Sequence, residues 1–256
     1  MDGTTDDSFG KLGNYFPASG SVRLSQEEAA LLYGTKACFF MVQGSTGSII
    51  GSMRFFGGKE CHALIQRNSH RSIVHGLRIS GARISTVKPA FNSDFTVFEP
   101  ITLRDIQERC DHDHTINLVV ITSPTYEGLS ADIHGIAQYC LMKGIKLVVD
   151  GAHSSVFPFA PELYPPSGIG MEGVDLVVQS LHKGAGSLTQ ASIVHLNKTS
   201  KKSAKMLENA LYVSTTTSPS SLILLSIEET IQSNFKDEVA KKRIHDTVKR
   251  AKELRE

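Results

Sequence analysis

The sequence predicts an α/β fold, a three-layer sandwich in which helices cover both faces of a mainly parallel sheet. Short apolar runs alternate along the chain with longer stretches of helical length. Three runs, LVVI (118–121), KLVVD (146–150) and DLVVQ (175–179), are apolar without alternation, which is typical of strands covered on both faces. With 256 residues, 40% of them hydrophobic, the chain is long enough for one sizeable core.

The first organised element is predicted to be a short helix. Residues 1–24 are rich in Gly, Ser, Thr and Asp and lack periodicity, so we expect a lead-in that is loop or disordered. Ser25 and Glu28 then have the spacing of a capping box, and Gly34 stands where a helix C-cap would. This pattern predicts a helix over 26–33.

Seven short apolar segments are predicted to be strands, and the segments between them have the length of helices. The strands are Ala37–Val42, Ala63–Ile65, Arg83–Val87, Asn117–Thr122, Lys146–Val149, Asp175–Gln179 and Ser192–Leu196. One intervening helix is predicted over Ser48–Phe56, and from Ser220 onward the chain is predicted to be helical. We therefore expect one main domain over 25–235, followed by a charged helix over 236–256 that leads out of it.

Charge and composition exclude several classes of partner. The 27 Lys and Arg residues nearly balance the 26 Asp and Glu residues and form no basic stripe, which argues against nucleic acid and anionic membranes. No run approaches the roughly 18 apolar residues of a membrane span. The four cysteines form no CxxC pair, which is typical of a reducing compartment, so we expect a cytoplasmic protein with a small-molecule or protein partner.

Candidate site residues follow the predicted strands, because ligands of open parallel sheets bind outside the carboxyl ends of the strands. The segment Gly44–Gly47 follows the first strand and leads into a helix, an arrangement that can cradle a phosphate. The alternative is a tight turn with an N-cap.

An acid ends the buried KLVVD run. Asp150 is followed by Gly151, Ala152 and His153, and a carboxylate at this position can be desolvated and then needs a cationic partner. A protonated pyridine nitrogen is such a partner, and it makes the ring a better electron sink. The alternatives are a helix cap and a metal ligand.

Two further places carry basic side chains. Lys183 follows DLVVQ in a glycine-rich segment, where a desolvated amine could form an imine; the alternative is an exposed loop lysine. His70, in RNSHRS (67–72), could lie flat on an aromatic ring, or a neighbouring Asn or Ser could cap a helix and leave it exposed. The cluster Asp111–His114 lacks a further ligand at a recognised spacing, so no metal site is predicted.

Taken together and in this order, GSTG, RNSHRS, SPTYEG, VVDGAH and VVQSLHKGAGSLTQAS resemble the major domain of the bacterial and plant ornithine/lysine/arginine decarboxylases. The resemblance covers about 25–235, and the most specific stretch is 177–192. It implies the large domain of a fold-type-I enzyme dependent on pyridoxal 5'-phosphate (PLP), similar to the transferases of that fold.

The resemblance implies roles for individual residues. Lys183 would form the Schiff base with PLP, Asp150 would pair with the pyridine nitrogen, His70 would stack on the ring, and Ala152 would pack on its other face beside His153. The remaining implied positions fall into three groups. Ser45, Thr46, Ser180 and His182 would hold the phosphate, Glu127 or Thr125 would lie near the phenolic oxygen, and Thr217 and Ser218 would reach a neighbouring subunit's site in a homodimer or higher oligomer.

Two departures from the family affect what can be expected. Where the family has D-E-A-H-G-A-H, this chain has D-G-A-H-S-S-V (150–156), which is also similar to aminotransferases and cysteine desulfurases. Family members also carry further N-terminal sequence and a C-terminal small domain, which we expect this chain to lack.

The implied reaction is decarboxylation of a basic amino acid, lysine, arginine or ornithine, impaired if the substrate pocket is incomplete. The alternatives are another reaction of the same fold, transamination or sulfur transfer, and a non-catalytic cofactor-binding or regulatory fragment.

Overall fold

The first helix begins earlier than its sequence pattern predicts. The structure is a computed structural model and describes residues 13–255. Helix α1 spans Gly20–Leu32, so the expectation of loop is wrong for residues 20–24, whereas residues 1–12 lie outside the described part. Ser25 lies inside α1, where its hydroxyl donates to Glu228 Oε1 at 2.9 Å instead of capping the helix.

All seven predicted strands are confirmed, with ends that shift by at most one residue. They are β1 (Ala37–Met41), β2 (His62–Gln66), β3 (Arg83–Val87), β6 (Leu118–Thr122), β7 (Lys146–Asp150), β8 (Leu176–Gln179) and β9 (Ser192–Leu196). The sequence analysis did not predict the short hairpin of β4 (Phe91–Asn92) and β5 (Val97–Phe98).

The seven strands form one sheet in the order β1-β9-β8-β7-β6-β2-β3. Only β9 runs against its neighbours β1 and β8, and the other pairings are parallel. The prediction of a mainly parallel sheet is therefore confirmed. This arrangement brings the carboxyl ends of β1, β8, β7, β6 and β2 to one edge of the sheet.

Helices cover both faces of this sheet. They are α2 (Gly44–Phe56), α3 (Arg71–Ser80), α4 (Leu103–His112), α5 (Ile133–Lys143), the single turn α6 (Leu181–Gly184), α7 (Ala204–Tyr212), α8 (Ser221–Lys236) and α9 (Glu238–Glu253). Leu118 and Val120 of β6 pack in the cluster with α2, α3 and α7, whereas Val119 and Ile121 pack in the cluster with α4 and α5. A third cluster packs α1 and α8 against β1 and β9. The three-layer prediction is thus confirmed.

The C-terminal part consists of two helices. Asp237 ends α8 and caps α9, since its carboxylate accepts from Val239 N–H at 2.8 Å. Leu224 of α8 is buried, whereas Leu222 and Leu225 are 70% and 60% exposed. Across residues 13–255, we find no helix with the length and apolar character needed to cross a membrane.

Candidate active site

The carboxyl ends of the parallel strands surround a cleft of about 510 Å³. Nearly all of the predicted site residues line it. They are Ser45, Thr46, His70, Glu127, Asp150, Ala152, His153, His182 and Lys183. Ser180, Thr217 and Ser218 are the exceptions. The rule that ligand-binding residues follow parallel strands therefore brings together residues that are far apart in sequence.

The first turn of α2 forms one wall of the cleft. Helix α2 begins at Gly44, four residues earlier than predicted, so GSTG is its first turn and not a loop before it. Gly44 has φ +67°, which favours glycine, and its N–H donates to Gln190 O at 2.7 Å. The N–H groups of a first turn have no partner inside the helix and attract anions. Ser45 and Thr46 add two hydroxyls to this wall.

Ser180 supports this wall from below and does not line the cleft. It is fully buried, and its hydroxyl donates to Ser45 Oγ at 2.8 Å. The structure therefore gives Ser180 an indirect position, in contrast to the direct phosphate contact predicted for it. His182 does line the cleft, and its Nδ1 bonds to Ala191 O at 2.8 Å, which fixes the ring and leaves Nε2 available to a ligand.

Asp150 ends β7 at the bottom of the cleft and is only 3% exposed. Its Oδ1 accepts from Ala152 N–H at 3.2 Å. Burial raises the pKa of this carboxyl to about 6, and the hydrogen bond from Ala152 and the charge of Lys183 offset only part of that effect. A buried carboxylate in this state is stabilised by a cationic ligand.

Lys183 lies on α6 and faces Asp150's neighbour across the cleft. Its Nζ is 3.2 Å from His153 Nε2. Burial, and next the charge of Lys183, lower the pKa of His153, so a neutral ring meets the lysine amine. Lys183 is exposed here, whereas the sequence analysis expected a desolvated amine.

His70 is the N-cap of α3, so the alternative in which a neighbouring Asn or Ser caps that helix is wrong. Its Nδ1 is 2.7 Å from Ser72 Oγ and accepts from Ser72 N–H at 3.3 Å. Burial, followed by Lys183, lowers the pKa of this imidazole. His70 lines the cleft, and stacking on a ring stays a prediction.

The segment Ser123–Gly128 supplies the opposite wall. Glu127 is exposed on the cleft, beside Tyr126, whose ring meets the His153 ring edge-on at 5.8 Å. Thr125 is buried at the cleft wall, and its hydroxyl accepts from Leu129 N–H at 3.3 Å, which holds this turn.

Thr217 and Ser218 lie outside the cleft, in the exposed segment between α7 and α8. Ser218 N–H donates to Thr216 Oγ1 at 3.1 Å. Their contact with a neighbouring subunit's site stays a prediction.

Several cleft residues were missed by the sequence analysis. Gln66 and Thr122 end β2 and β6, and Gln66 Oε1 accepts from Thr122 N–H at 2.9 Å. The strand-end rule that found Asp150 could also have found both residues. Phe98 reaches the cleft from the β4–β5 hairpin, which no periodic pattern announces.

These features define a class of protein: an α/β domain whose strand ends hold a lysine, a buried carboxylate and an anion-binding helix N-terminus, as in fold-type-I PLP enzymes. Residues 4–256 match the family model described as Orn/Lys/Arg decarboxylase, major domain. The chain belongs to this family, which confirms the resemblance, and the family uses PLP.

Individual relatives agree with the family match. The chain is 29% identical over 221 residues to an arginine decarboxylase of Halalkalibacterium halodurans, which covers 86% of this chain and 44% of that protein. It matches the structure of the constitutive lysine decarboxylase of E. coli with a TM-score of 0.81 and 24% identity, over 99% of this chain and 36% of that one. A serine palmitoyltransferase of S. paucimobilis with bound PLP matches with a TM-score of 0.66 and 19% identity, over 94% of this chain and 58% of that one. The chain thus spans less than half the length of these two decarboxylases.

The residues present fit PLP. Among the described residues, the buried atoms Gln43 Oε1 and Thr122 Oγ1 have no hydrogen-bond partner, and both residues line the cleft. Buried polar groups normally have partners, so these two atoms mark a place for a polar ligand. The helix N-terminus suits a phosphate, Asp150 suits a cationic ring nitrogen, and Lys183 offers an amine.

Proposed function

We propose that this chain is the PLP-binding part of an enzyme that decarboxylates a basic amino acid: lysine, arginine or ornithine. The observation that carries the proposal is the cleft that joins Lys183, Asp150 and the first turn of α2. The reaction type and substrate class are supported by the arginine and lysine decarboxylases among the relatives.

Asp150 and the first turn of α2 would hold the two ends of PLP. When bound, PLP supplies an electron sink for the carbanion left by loss of carbon dioxide, and a protonated ring nitrogen strengthens that sink. Asp150 balances the nitrogen charge, because its buried carboxylate lacks a strong cationic partner. Ser45 and Thr46 bind the phosphate together with the N–H groups of their turn, and His182 Nε2 lies on the same wall.

The remaining residues would position the ring and the lysine. His70 and Ala152 pack on opposite faces of the ring, and Glu127 lies near its phenolic oxygen. Neutral His153 accepts a hydrogen bond from Lys183 Nζ at Nε2 and holds the amine over the cleft. Lys183 binds PLP covalently.

The competing reactions differ in what the cleft must supply. Sulfur transfer through a persulfide needs a cysteine thiol, but all four cysteines are buried and none is among the described residues that line the cleft. Transamination and a non-catalytic role remain alternatives that an assay separates, because one releases a keto acid and the other neither product.

Two features support further expectations for the protein. Its buried, unpaired cysteines suit the reducing cytoplasm that we expect as its compartment. The exposed leucines Leu222 and Leu225, next to Thr217 and Ser218, support association into a homodimer or higher oligomer.

Borohydride reduction in the presence of PLP tests the proposal. We expect peptide mapping to find the reduced cofactor on Lys183, with no label in Lys183→Ala and full label in the matched variant Lys198→Ala, which changes an exposed lysine outside the cleft. Labelling of another lysine, or of none, contradicts the proposal. Carbon dioxide release from lysine, arginine and ornithine, measured beside keto-acid release, then decides the reaction.

A further inference from the structure

A chain of buried hydrogen bonds crosses three neighbouring strands behind the cleft. It joins Gln179 of β8, His195 of β9 and Cys38 of β1, none of which is more than 2% exposed. His195 Nε2 is 3.2 Å from Gln179 Oε1, and His195 Nδ1 is 3.2 Å from Cys38 Sγ. None of these side chains lines the cleft, so none was a predicted site residue.

The direction of every bond in this chain follows from one carbonyl. Gln179 Nε2 is 2.7 Å from Ser154 O, which can only accept, so the amide group must face Ser154 and Oε1 must face His195. His195 Nε2 must then carry the hydrogen, and Nδ1 accepts from the Cys38 thiol. Burial lowers the pKa of His195 to about 3 and raises that of Cys38 to about 12, which keeps both groups neutral.

The Gln179 amide ties together the two segments that carry the candidate site. On one side it binds Ser154 O and, at 3.1 Å, Ser154 Oγ. Ser154 closes a turn onto Gly151, through N–H to O at 2.8 Å and Oγ to O at 2.9 Å, and this turn contains Ala152 and His153. On the other side, the backbone of Gln179 leads directly into Ser180 and the α6 turn with Lys183.

We propose that Gln179 is a positioning residue whose amide, held in one orientation by His195, fixes the Gly151–Ser154 turn relative to Lys183. The turn sets where Ala152 and His153 meet the ligand, and it begins directly after Asp150. The consequence for PLP rests on the proposed function, whereas the hydrogen-bond chain and the rigidity of the turn do not.

Two measurements on the cofactor-free chain test the positioning directly. ¹⁵N NMR of the histidine rings should show His195 protonated at Nε2 and bare at Nδ1. Hydrogen exchange should show that Gln179→Met, which has a similar volume but no amide, speeds exchange of the 151–155 amides at least tenfold while α5 is unchanged. The matched control is Gln26→Met, because Gln26 is also buried and its Nε2 has no partner within residues 13–255.

PLP titration adds a readout that a purely structural role would not move. At an unfolding midpoint corrected for any loss of stability, Gln179→Met should bind PLP at least fivefold more weakly, and Gln26→Met should bind like the parent chain. A proton on His195 Nδ1, unchanged exchange at 151–155, or an equal rise in α5 overturns the inference. If the parent chain does not bind PLP, the proposed function fails, and the exchange and NMR results still decide the role of Gln179.

Discussion

Asp150→Asn should make the cofactor-free protein more stable at neutral pH while it weakens PLP binding. The carboxylate is buried, and burial raises its pKa from 3.8 to about 6. Asparagine has nearly the same shape and keeps an oxygen to accept the Ala152 N–H, but it carries no charge that must be desolvated. The same loss of charge removes the partner of a cationic ring nitrogen.

The size of the stability gain follows from the pKa. A shift from 3.8 to about 6 corresponds to about 3 kcal/mol as an upper bound, since one pKa unit is worth about 1.4 kcal/mol. Because the folded pKa is the higher one, the folded state binds more protons between these two values. The carboxyl therefore makes the folded state less stable as the pH rises from about 4 to about 6, and the loss is complete at neutral pH.

Urea unfolding of both proteins near pH 4 and at pH 7 measures this effect. The variant should match the parent near pH 4 and exceed it at pH 7, and taking the difference cancels the contributions of other carboxyls. Asp175→Asn is the matched control, because that buried carboxylate already accepts from Leu147 N–H and Ser200 Oγ and should show no such gain. Added PLP should stabilise the parent more than Asp150→Asn. A variant no more stable than the parent at pH 7, or one that binds PLP equally well, refutes the reasoning.

The other predictions concern the phosphate wall and the α8 surface. Ser45→Ala should lower the affinity for PLP about fivefold, as expected for the loss of one hydrogen bond of about 1 kcal/mol, and leave the affinity for pyridoxal unchanged in a binding titration. Equal losses for both ligands would contradict a phosphate contact. Leu225→Lys should weaken self-association in sedimentation across a concentration series, whereas Met142→Lys, an equally exposed apolar residue on α5, should not. A PLP-loaded parent chain that stays monomeric at every concentration would leave Thr217 and Ser218 without their predicted role.

The strands could be predicted from sequence because their burial is nearly complete. Val119, Val148 and Val177 are buried on neighbouring strands, and a strand covered on both faces leaves an unbroken apolar run. Helix starts were less visible. The Ser25–Glu28 pattern has capping-box spacing, but Ser25 bonds to Glu228, 203 residues away, and the N-cap Ser19 makes no side-chain cap bond. Tertiary contacts of this kind leave no local signal.

The candidate site shows the same division. Asp150 and Lys183 could be predicted because they follow apolar strands directly, and the strands fix where their carboxyl ends meet. Phe98 could not, since it comes from a hairpin whose approach to the cleft depends on packing. Ser180 was placed one layer too close to the ligand, because sequence gives its position after β8 but not the direction of its hydroxyl.

The cleft is arranged for a ligand at some cost to the cofactor-free protein. Asp150 is buried with a raised pKa, and Gln43 Oε1 and Thr122 Oγ1 have no partner within the described residues. Directly behind the cleft, by contrast, the polar atoms that Gln179 and His195 present to each other and to Ser154 are paired. Unsatisfied groups at the front and satisfied groups behind are what a preorganised site requires, because a rigid support keeps the front groups from turning to bond each other. The same contrast explains why Asp150→Asn is expected to stabilise the protein, whereas Gln179→Met is expected to loosen it.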